Sequence, residues 1–244
     1  MKKALLIVSF GVTTKEAREK TLDLYKKEVE ASFPHYDVFI AYSSRRIIGK
    51  VKQREGLEVD YPLQALEKLM TTGYEKILIQ PFSVISSEAL KTLGTSIKAK
   101  HVKLLPPLLH TTSEDSILAK LILQGFALNE KEALLFVGHG SATTEQDFYV
   151  KFNDVLEKLE IPAFLGTIKG HLTIETISQK LRESGIESVR VKPFLLTKGH
   201  HVTQDIKKMW VEGLKSEGFK VEVDLKPLGE YPAIRQHFIH LIKE

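Results

Sequence analysis

Residues 4–11 read Ala4-Leu5-Leu6-Ile7-Val8-Ser9-Phe10-Gly11, and residues 133–140 read Ala133-Leu134-Leu135-Phe136-Val137-Gly138-His139-Gly140. Each is an apolar, partly β-branched run that closes on glycine. Such a run reads as a strand buried on both faces and followed by a tight turn. A threonine pair comes next in both copies. Thr13 with Glu16, and Thr143 with Gln146, fit a capping box, in which a hydroxyl and a side-chain carbonyl satisfy orphan N–H groups at a helix start. The chain is therefore expected to contain two related strand-turn-helix halves. Only the second copy carries a histidine, His139, at its strand end.

A second echo supports the duplication. Residues 73–88 (GYEKILIQPFSVISSE) align with residues 185–200 (GIESVRVKPFLLTKGH), sharing Gly, Glu and the Pro-Phe pair in register. Glu88 thus falls opposite His200. Working outward, the first half reads as a helix over 14–33, a strand over 38–42, a helix over 62–70, a strand over 76–81, a helix over 88–98 and a short strand over 102–105. The second half places strands at 133–137, 163–167, 189–196 and 220–224, with helices over 144–159, 174–184 and 203–217 between them. A helical segment within 113–129 crosses between the halves, and a last helix over 232–243 is able to pack back on the first. Alternating strands and helices imply parallel sheets with right-handed crossovers. The predicted fold is α/β, with two similar domains at 1–125 and 126–244, each a four-stranded parallel sheet flanked by helices.

Composition narrows the function. The chain of 244 residues is 43% hydrophobic and 27% charged, as in an ordinary globular protein. Its net charge of +4 is dispersed, and without a long Lys/Arg run nucleic acid is not an expected partner. With no cysteine, disulfides and thiolate metal sites are excluded, so a metal would need His, Asp, Glu or backbone oxygen. The N-terminal apolar run, broken by Ser9 and Gly11, is too short for a signal peptide or membrane span. A cytoplasmic location and no membrane partner are expected.

In open α/β sheets, ligands bind beyond the carboxyl ends of the strands. That rule sorts the nine histidines. His139, His171, His200 and His201 follow successive strands of the second half and share one rim. His35, His101, His110, His237 and His240 share no edge and read as structural or solvated. Glycines on both sides of His139 would let a bulky ligand approach the backbone. Neutral imidazole suits Co, Ni, Zn and Fe(II). Glu88 supplies a carboxylate at the matching edge, for a metal or for proton transfer, or simply complements a helix dipole. The Arg-His-Gly of histidine phosphatases is absent because Gly138 precedes His139. No Gly-x-Ser-x-Gly elbow surrounds Ser141, and no Walker loop is present.

Taken together, five segments resemble the class II chelatases, and within them the anaerobic-type sirohydrochlorin cobaltochelatases. They are Leu6-Ile7-Val8-Ser9-Phe10-Gly11, Pro62-Leu63-Gln64-Ala65-Leu66, Val137-Gly138-His139-Gly140, Gly199-His200-His201 and Leu228-Gly229-Glu230-Tyr231-Pro232-Ala233-Ile234-Arg235. The resemblance spans nearly the whole chain. It implies two similar α/β domains enclosing a cleft for a tetrapyrrole. It also implies a lyase-class chelatase that inserts Co(II) into sirohydrochlorin, an octacarboxylate macrocycle, without ATP in anaerobic cobalamin biosynthesis. Co(II) is then a substrate metal, no organic cofactor is needed, and sirohydrochlorin is the small-molecule partner. Homo-oligomerisation stays open.

Carried over singly, His139 and His201 match the family's two essential histidines and are the expected metal ligands and catalytic groups, with Glu88 at an acidic site position. Ser9, Phe10 and Gly11 match the loop bordering the substrate, and Gly140 and Ser141 occupy the corresponding place in the second half. Arg45, Arg46, Lys50 and Lys198 are candidates for pairing with the substrate carboxylates. One departure stands out. Lys169 occupies a position where a glutamate ligand is common, which leaves His171, Glu88 or water as the third ligand, and His200 stands where aspartate is common. Nickel or iron insertion into the same macrocycle, and a metal or tetrapyrrole carrier without turnover, are the alternatives.

Overall fold

A computed structural model describes residues 2–110 and 112–242, without the side chains of 112–114 and 200–202. Eight strands form two sheets. Strands β1 (Lys3–Ser9), β2 (Asp37–Tyr42), β3 (Lys76–Pro81) and β4 (Val102–Leu104) lie in the order β2-β1-β3-β4. Strands β5 (Glu132–Gly140), β6 (Ala163–Lys169), β7 (Ser188–Pro193) and β8 (Lys220–Val223) repeat it as β6-β5-β7-β8. Every pairing is parallel. β1 and β5 each have a neighbour on both sides and helices on both faces, so their side chains are covered in either direction. Leu5, Leu6 and Ile7, like Leu134, Leu135 and Phe136, are fully buried, and this two-sided burial is what an unbroken apolar run provides for.

The helices are α1 (Lys15–Lys20), α2 (Leu22–Ser32), α3 (Arg45–Glu55), α4 (Pro62–Thr71), α5 (Glu88–Ser96), α6 (Thr112–Leu123), α7 (Gln146–Glu157), α8 (Ile174–Glu183), α9 (His200–Asp205), α10 (Glu212–Ser216) and α11 (Pro232–Leu241). A π-helical stretch, Ile206–Val211, joins α9 to α10. Within it, Trp210 is buried with its ring laid on Gly166 of β6, where an added Cβ would stand 2.2 Å from the indole. α5 begins at Glu88 and α9 at His200, the two residues that the second echo aligns.

The duplication also shows in backbone hydrogen bonds. Phe82 N–H donates to Val8 O and Phe194 N–H to Val137 O, both at 2.8 Å, so the Pro-Phe pair closes onto the central strand identically in each half. Beside it the halves diverge. Gln80, fully buried, donates from Nε2 to Pro81 O and Pro106 O, both at 3.1 Å. At the matching place, Lys192 is also buried, and its ammonium pairs with Asp224 under the rings of Phe126 and Tyr231, 4.9 and 5.5 Å from their centroids. The Gln80 amide N–H group and the Lys192 ammonium are both satisfied, but by different partners, while Gln80 Oε1 is buried without one.

The chain divides into two compact units, 1–108 with 235–244, and 109–234. The expected boundary at 125/126 had placed α6 with the first half. Instead α6 belongs to the second, where it packs against α7 and buries Leu118, Ala119, Ile122 and Leu123. The chain returns to the first unit through α11. There the guanidinium of Arg235, nearly buried, grips Glu28 of α2, Nε at 3.0 Å from both carboxylate oxygens and Nη2 at 2.9 Å. Phe238 adds aromatic contacts to Phe82 and Tyr25. Arg235→Ala is expected to destabilise the protein by about 3 kcal/mol, because the partly buried Glu28 loses its partner. Urea unfolding measures this, and a loss below about 1 kcal/mol would show that Phe238 packing alone holds α11.

Several local expectations change. The helix over 14–33 breaks at Thr21, whose backbone (φ −127°, ψ −86°) is not helical. α3 adds a helix that the periodicity did not mark. Neither expected capping box forms. α1 starts at Lys15 with no side-chain cap from Thr14, and Glu16 pairs with Lys20 instead. α7 starts at Gln146 itself, after turn hydrogen bonds from Gln146 N–H to Thr143 O and Asp147 N–H to Thr144 O. Among the described residues, no helix is long and apolar enough to cross a membrane.

Candidate functional site

The second unit gathers its chemistry at the carboxyl ends of three adjacent strands, β6, β5 and β7. β5 runs past the expected end at 137 to Gly140, so His139 is a strand residue and not part of a loop. Its neighbours pair with β6, Gly138 with Thr167 and Gly140 with Lys169. His139 is exposed, while the rest of β5 is buried. His171 is exposed in the turn after β6, and Lys169 is exposed at that strand's end. Lys198 is exposed in the loop between β7 and α9. His200 and His201 open α9, but their side chains, including that of the expected ligand His201, lie outside the described residues.

The glycines around His139 have a different origin from the one expected. A Cβ on Gly138 would lie 2.7 Å from the Tyr149 ring. On Gly140, whose φ is +73°, it would lie 1.8 Å from the carbonyl oxygen of Lys169. Both glycines are thus required by close packing inside the unit, the second also by its left-handed backbone. Ligand access need not be invoked. The hydroxyl of Tyr149, a residue of α7, hydrogen-bonds the Gly140 backbone, and burial pushes this phenol upward. The strand end carrying His139 is therefore backed on one side by α7 and on the other by β6.

Electrostatics around His139 favour the neutral ring. Lost hydration is the first cause, the Lys169 ammonium adds to it and Asp205 partly opposes both, leaving the imidazole below the ordinary histidine value. A neutral imidazole has a lone pair for a metal ion or a proton. Among the described residues, no three His, Asp or Glu side chains are grouped to hold a metal.

Beyond β5 the chain forms a small hydroxyl network. Ser141 Oγ accepts from Thr143 N–H at 3.1 Å and lies 2.9 Å from Thr143 Oγ1. Gln146, nearly buried, accepts from Ser141 N–H at 3.0 Å through Oε1. Its sequence reading as a capping residue missed this reach across the turn. The signal, a glutamine soon after a glycine-closed strand, does not by itself distinguish the two.

The first unit presents a corresponding rim at β2, β1 and β3. Ser9 is buried, and its Oγ accepts from Gly11 N–H at 3.3 Å. Phe10 is 65% exposed, the most exposed large apolar side chain among the described residues. Ser43 and Ser44 N–H groups hold this turn through the carbonyls of Ser9 and Phe10. Arg45 and Arg46, exposed, open α3, and the Arg45 guanidinium lies 4.3 Å over the Tyr61 ring. Lys50 is half-buried one turn on. Glu88 is exposed at the first position of α5, beside Ser87, whose Oγ accepts from Leu90 N–H at 3.3 Å. Ser9, Phe10 and Gly11 thus lie at or just after the carboxyl end of β1, whereas Arg45, Arg46, Lys50 and Glu88 belong to the helices that follow β2 and β3.

Comparison with known proteins follows this geometry. A family model described as cobalt chelatase (CbiK) matches residues 3–244. Sirohydrochlorin cobaltochelatase of Salmonella typhimurium is 30% identical, with 98% of this chain and 94% of that protein covered. Sirohydrochlorin cobaltochelatase CbiKC of Nitratidesulfovibrio vulgaris is 24% identical, over 94% of this chain and 86% of that one. Among solved structures, SirB from Bacillus subtilis with Fe3+ superposes with a TM-score of 0.64 at 14% identity, covering 99% of this chain and 94% of that one. DR2241 from Deinococcus radiodurans, a multi-domain protein with structural similarity to chelatases, gives 0.62 at 15% identity, covering 100% and 55%. The two structures share the fold.

Proposed function

Since the chain belongs to the cobalt chelatase (CbiK) family, we propose that it inserts Co(II) into sirohydrochlorin without a nucleotide, in anaerobic cobalamin biosynthesis. The observation that carries this reading is the 30% identity to a sirohydrochlorin cobaltochelatase across 98% of the chain, which includes both rims. In the reaction, two pyrrole N–H bonds break, the metal gains bonds to the ring nitrogens, and two protons leave. Charge balances because a dication replaces two protons. The protein's task is to present the metal, accept protons and hold the macrocycle.

His139 suits the first two tasks, since its ring is kept neutral. Ligation and proton acceptance use the same lone pair, so one histidine performs them in succession: it releases the metal, then takes a proton. His201 is assigned as the second metal-holding histidine. Glu88 serves as a carboxylate proton acceptor. Arg45, Arg46 and Lys198 are assigned to substrate carboxylates, which exposed guanidinium and ammonium groups bind by charge-assisted hydrogen bonds. In the first unit, exposed Phe10 with Ser9 and Gly11 is assigned to the substrate, and in the second unit Gly140 and Ser141 are assigned to it. Lys169 disfavours a dication resting beside His139, so Co(II) binding is expected to strengthen when the anionic substrate is present.

The test is turnover. Protein at a tenth of the substrate concentration, with Co(II) and sirohydrochlorin under anaerobic conditions, should convert the whole pool to the cobalt chelate. Conversion that stops at one equivalent would identify a carrier instead. Competition among Co(II), Ni(II) and Fe(II) at controlled free concentrations then assigns the metal, because raw affinity order does not decide it.

A further inference from the structure

We infer that Gln146 is a positioning residue for insertion, a single side chain that locks the His139 strand end to the turn carrying Lys169 and His171. The inference rests on the functional reading above. Gln146 opens α7 yet points away from bulk water, 2% exposed. It has three neighbours from three segments. Its Oε1 accepts from Ser141 N–H at 3.0 Å, one residue beyond Gly140. Its Nε2 donates to Thr167 Oγ1 at 3.5 Å, where β6 passes from buried to exposed. Its amide carbon presses on Gly170, where an added Cβ would stand 2.4 Å from Cδ. The amide orientation is set chemically, since a flip would turn Nε2 toward the Ser141 N–H, donor against donor.

Gly170, with φ of +104°, lies between Lys169 and His171. The turn closes through Thr167 N–H to Leu172 O at 2.9 Å. Gln146 is therefore a side chain common to both segments that flank the exposed imidazole. Its contacts at this rim are with the Ser141 backbone, the Thr167 hydroxyl and Gly170. Its effect must act through backbone placement, which packed surroundings transmit because they yield little.

Three variants test this in the full-length protein. Gln146→Leu keeps most of the volume and removes both hydrogen bonds. Its kcat for Co(II) insertion should fall about 10–100-fold, the usual effect of losing a residue that orients a metal ligand. KM for sirohydrochlorin should stay within about twofold and the Co(II)-to-Ni(II) insertion ratio should change, since loosened geometry affects the metal step more than substrate capture. Gln146→Glu keeps an oxygen for Ser141 N–H and can accept from the Thr167 hydroxyl, so it should restore most of the lost kcat. Thr167→Val removes only one of the two bonds and should give a smaller loss in the same direction, which keeps the test decisive if the leucine variant does not fold. A folded Gln146→Leu enzyme with wild-type kcat overturns the inference. So does a parallel loss of kcat, KM and melting temperature in all three variants with an unchanged metal ratio. Failure of the wild-type protein to insert Co(II) counts against the functional reading alone.

Discussion

A His139→Ala variant that folds normally is expected to lose cobalt insertion by about 10²–10⁴-fold, the range of removing a group that takes protons in a rate-limiting step. The loss should fall on kcat, because the proposed substrate-binding groups are the cations Arg45, Arg46 and Lys198 and not His139. Circular dichroism and melting temperature should match the wild type, since the exposed ring of His139 contributes little to the core. His201→Ala should behave alike. If both folded variants turn over at the wild-type rate, the assignment of the rim is wrong. The pH dependence carries a further sign. A protonated imidazole neither ligates nor accepts, so activity should fall on the acid side at a pH below the ordinary histidine value, given the lowered His139. Lys169→Met removes one of the two causes of that lowering and should move the acid limb upward. An unmoved limb would show that a different group sets it.

The second large effect concerns stability and depends on which partner is removed. Lys192 is buried, whereas Asp224 remains 46% exposed. Asp224→Ala leaves a buried ammonium without that counter-charge, beside the Phe126 and Tyr231 rings, and should cost about 3–5 kcal/mol. Lys192→Met fills a similar volume, keeps the contact with both rings and leaves Asp224 free to hydrate. Its cost should stay below about 1.5 kcal/mol. Burial opposes ionisation of Asp224, but hydrogen bonds from Lys192 and the Lys226 backbone outweigh it and hold the carboxyl below its ordinary value. A lowered native value means that the unfolded chain binds the proton more readily. The contribution is therefore complete at neutral pH and is lost as pH falls through and below the ordinary aspartate range. Equal costs for the two variants, measured by urea unfolding at pH 7, would reject this account.

Much of the architecture was legible because two-sided burial leaves a strong mark. The runs at 4–8 and 133–137 could be central parallel strands on composition alone, and the repeated Pro-Phe pair located β3 and β7. The rest was hidden for identifiable reasons. α3 reads RRIIGKVKQRE, and only Val51 is buried in it, so its short apolar stripe of Ile47, Ile48 and Val51 is outnumbered by charges. The break at Thr21 lies in a stretch whose periodicity continues on both sides. α6 follows the first half in sequence, but its apolar residues find their partner in α7, which follows later in the chain.

At the site, the rim could be deduced from strand ends, which topology dictates. Packing inside the rim could not. Gly138 and Gly140 carry the same letter whether a ligand or a neighbouring strand needs the space, and only the proximity of Tyr149 and of the Lys169 carbonyl distinguishes the two. Gln146 was similarly ambiguous, since its three contacts join segments up to 24 residues apart, from 146 to 170.

The seating of Trp210 on Gly166 has an optical consequence. The chain has one tryptophan, and it is buried wholly within the unit of residues 109–234. Light absorbed by the indole therefore reports on one half of a duplicated protein, while peptide-bond absorption reports on both. One of two lobes with the same strand order thus carries its own optical label. If the halves melt independently, the two signals will separate, and whichever lobe yields first can be named without introducing a dye.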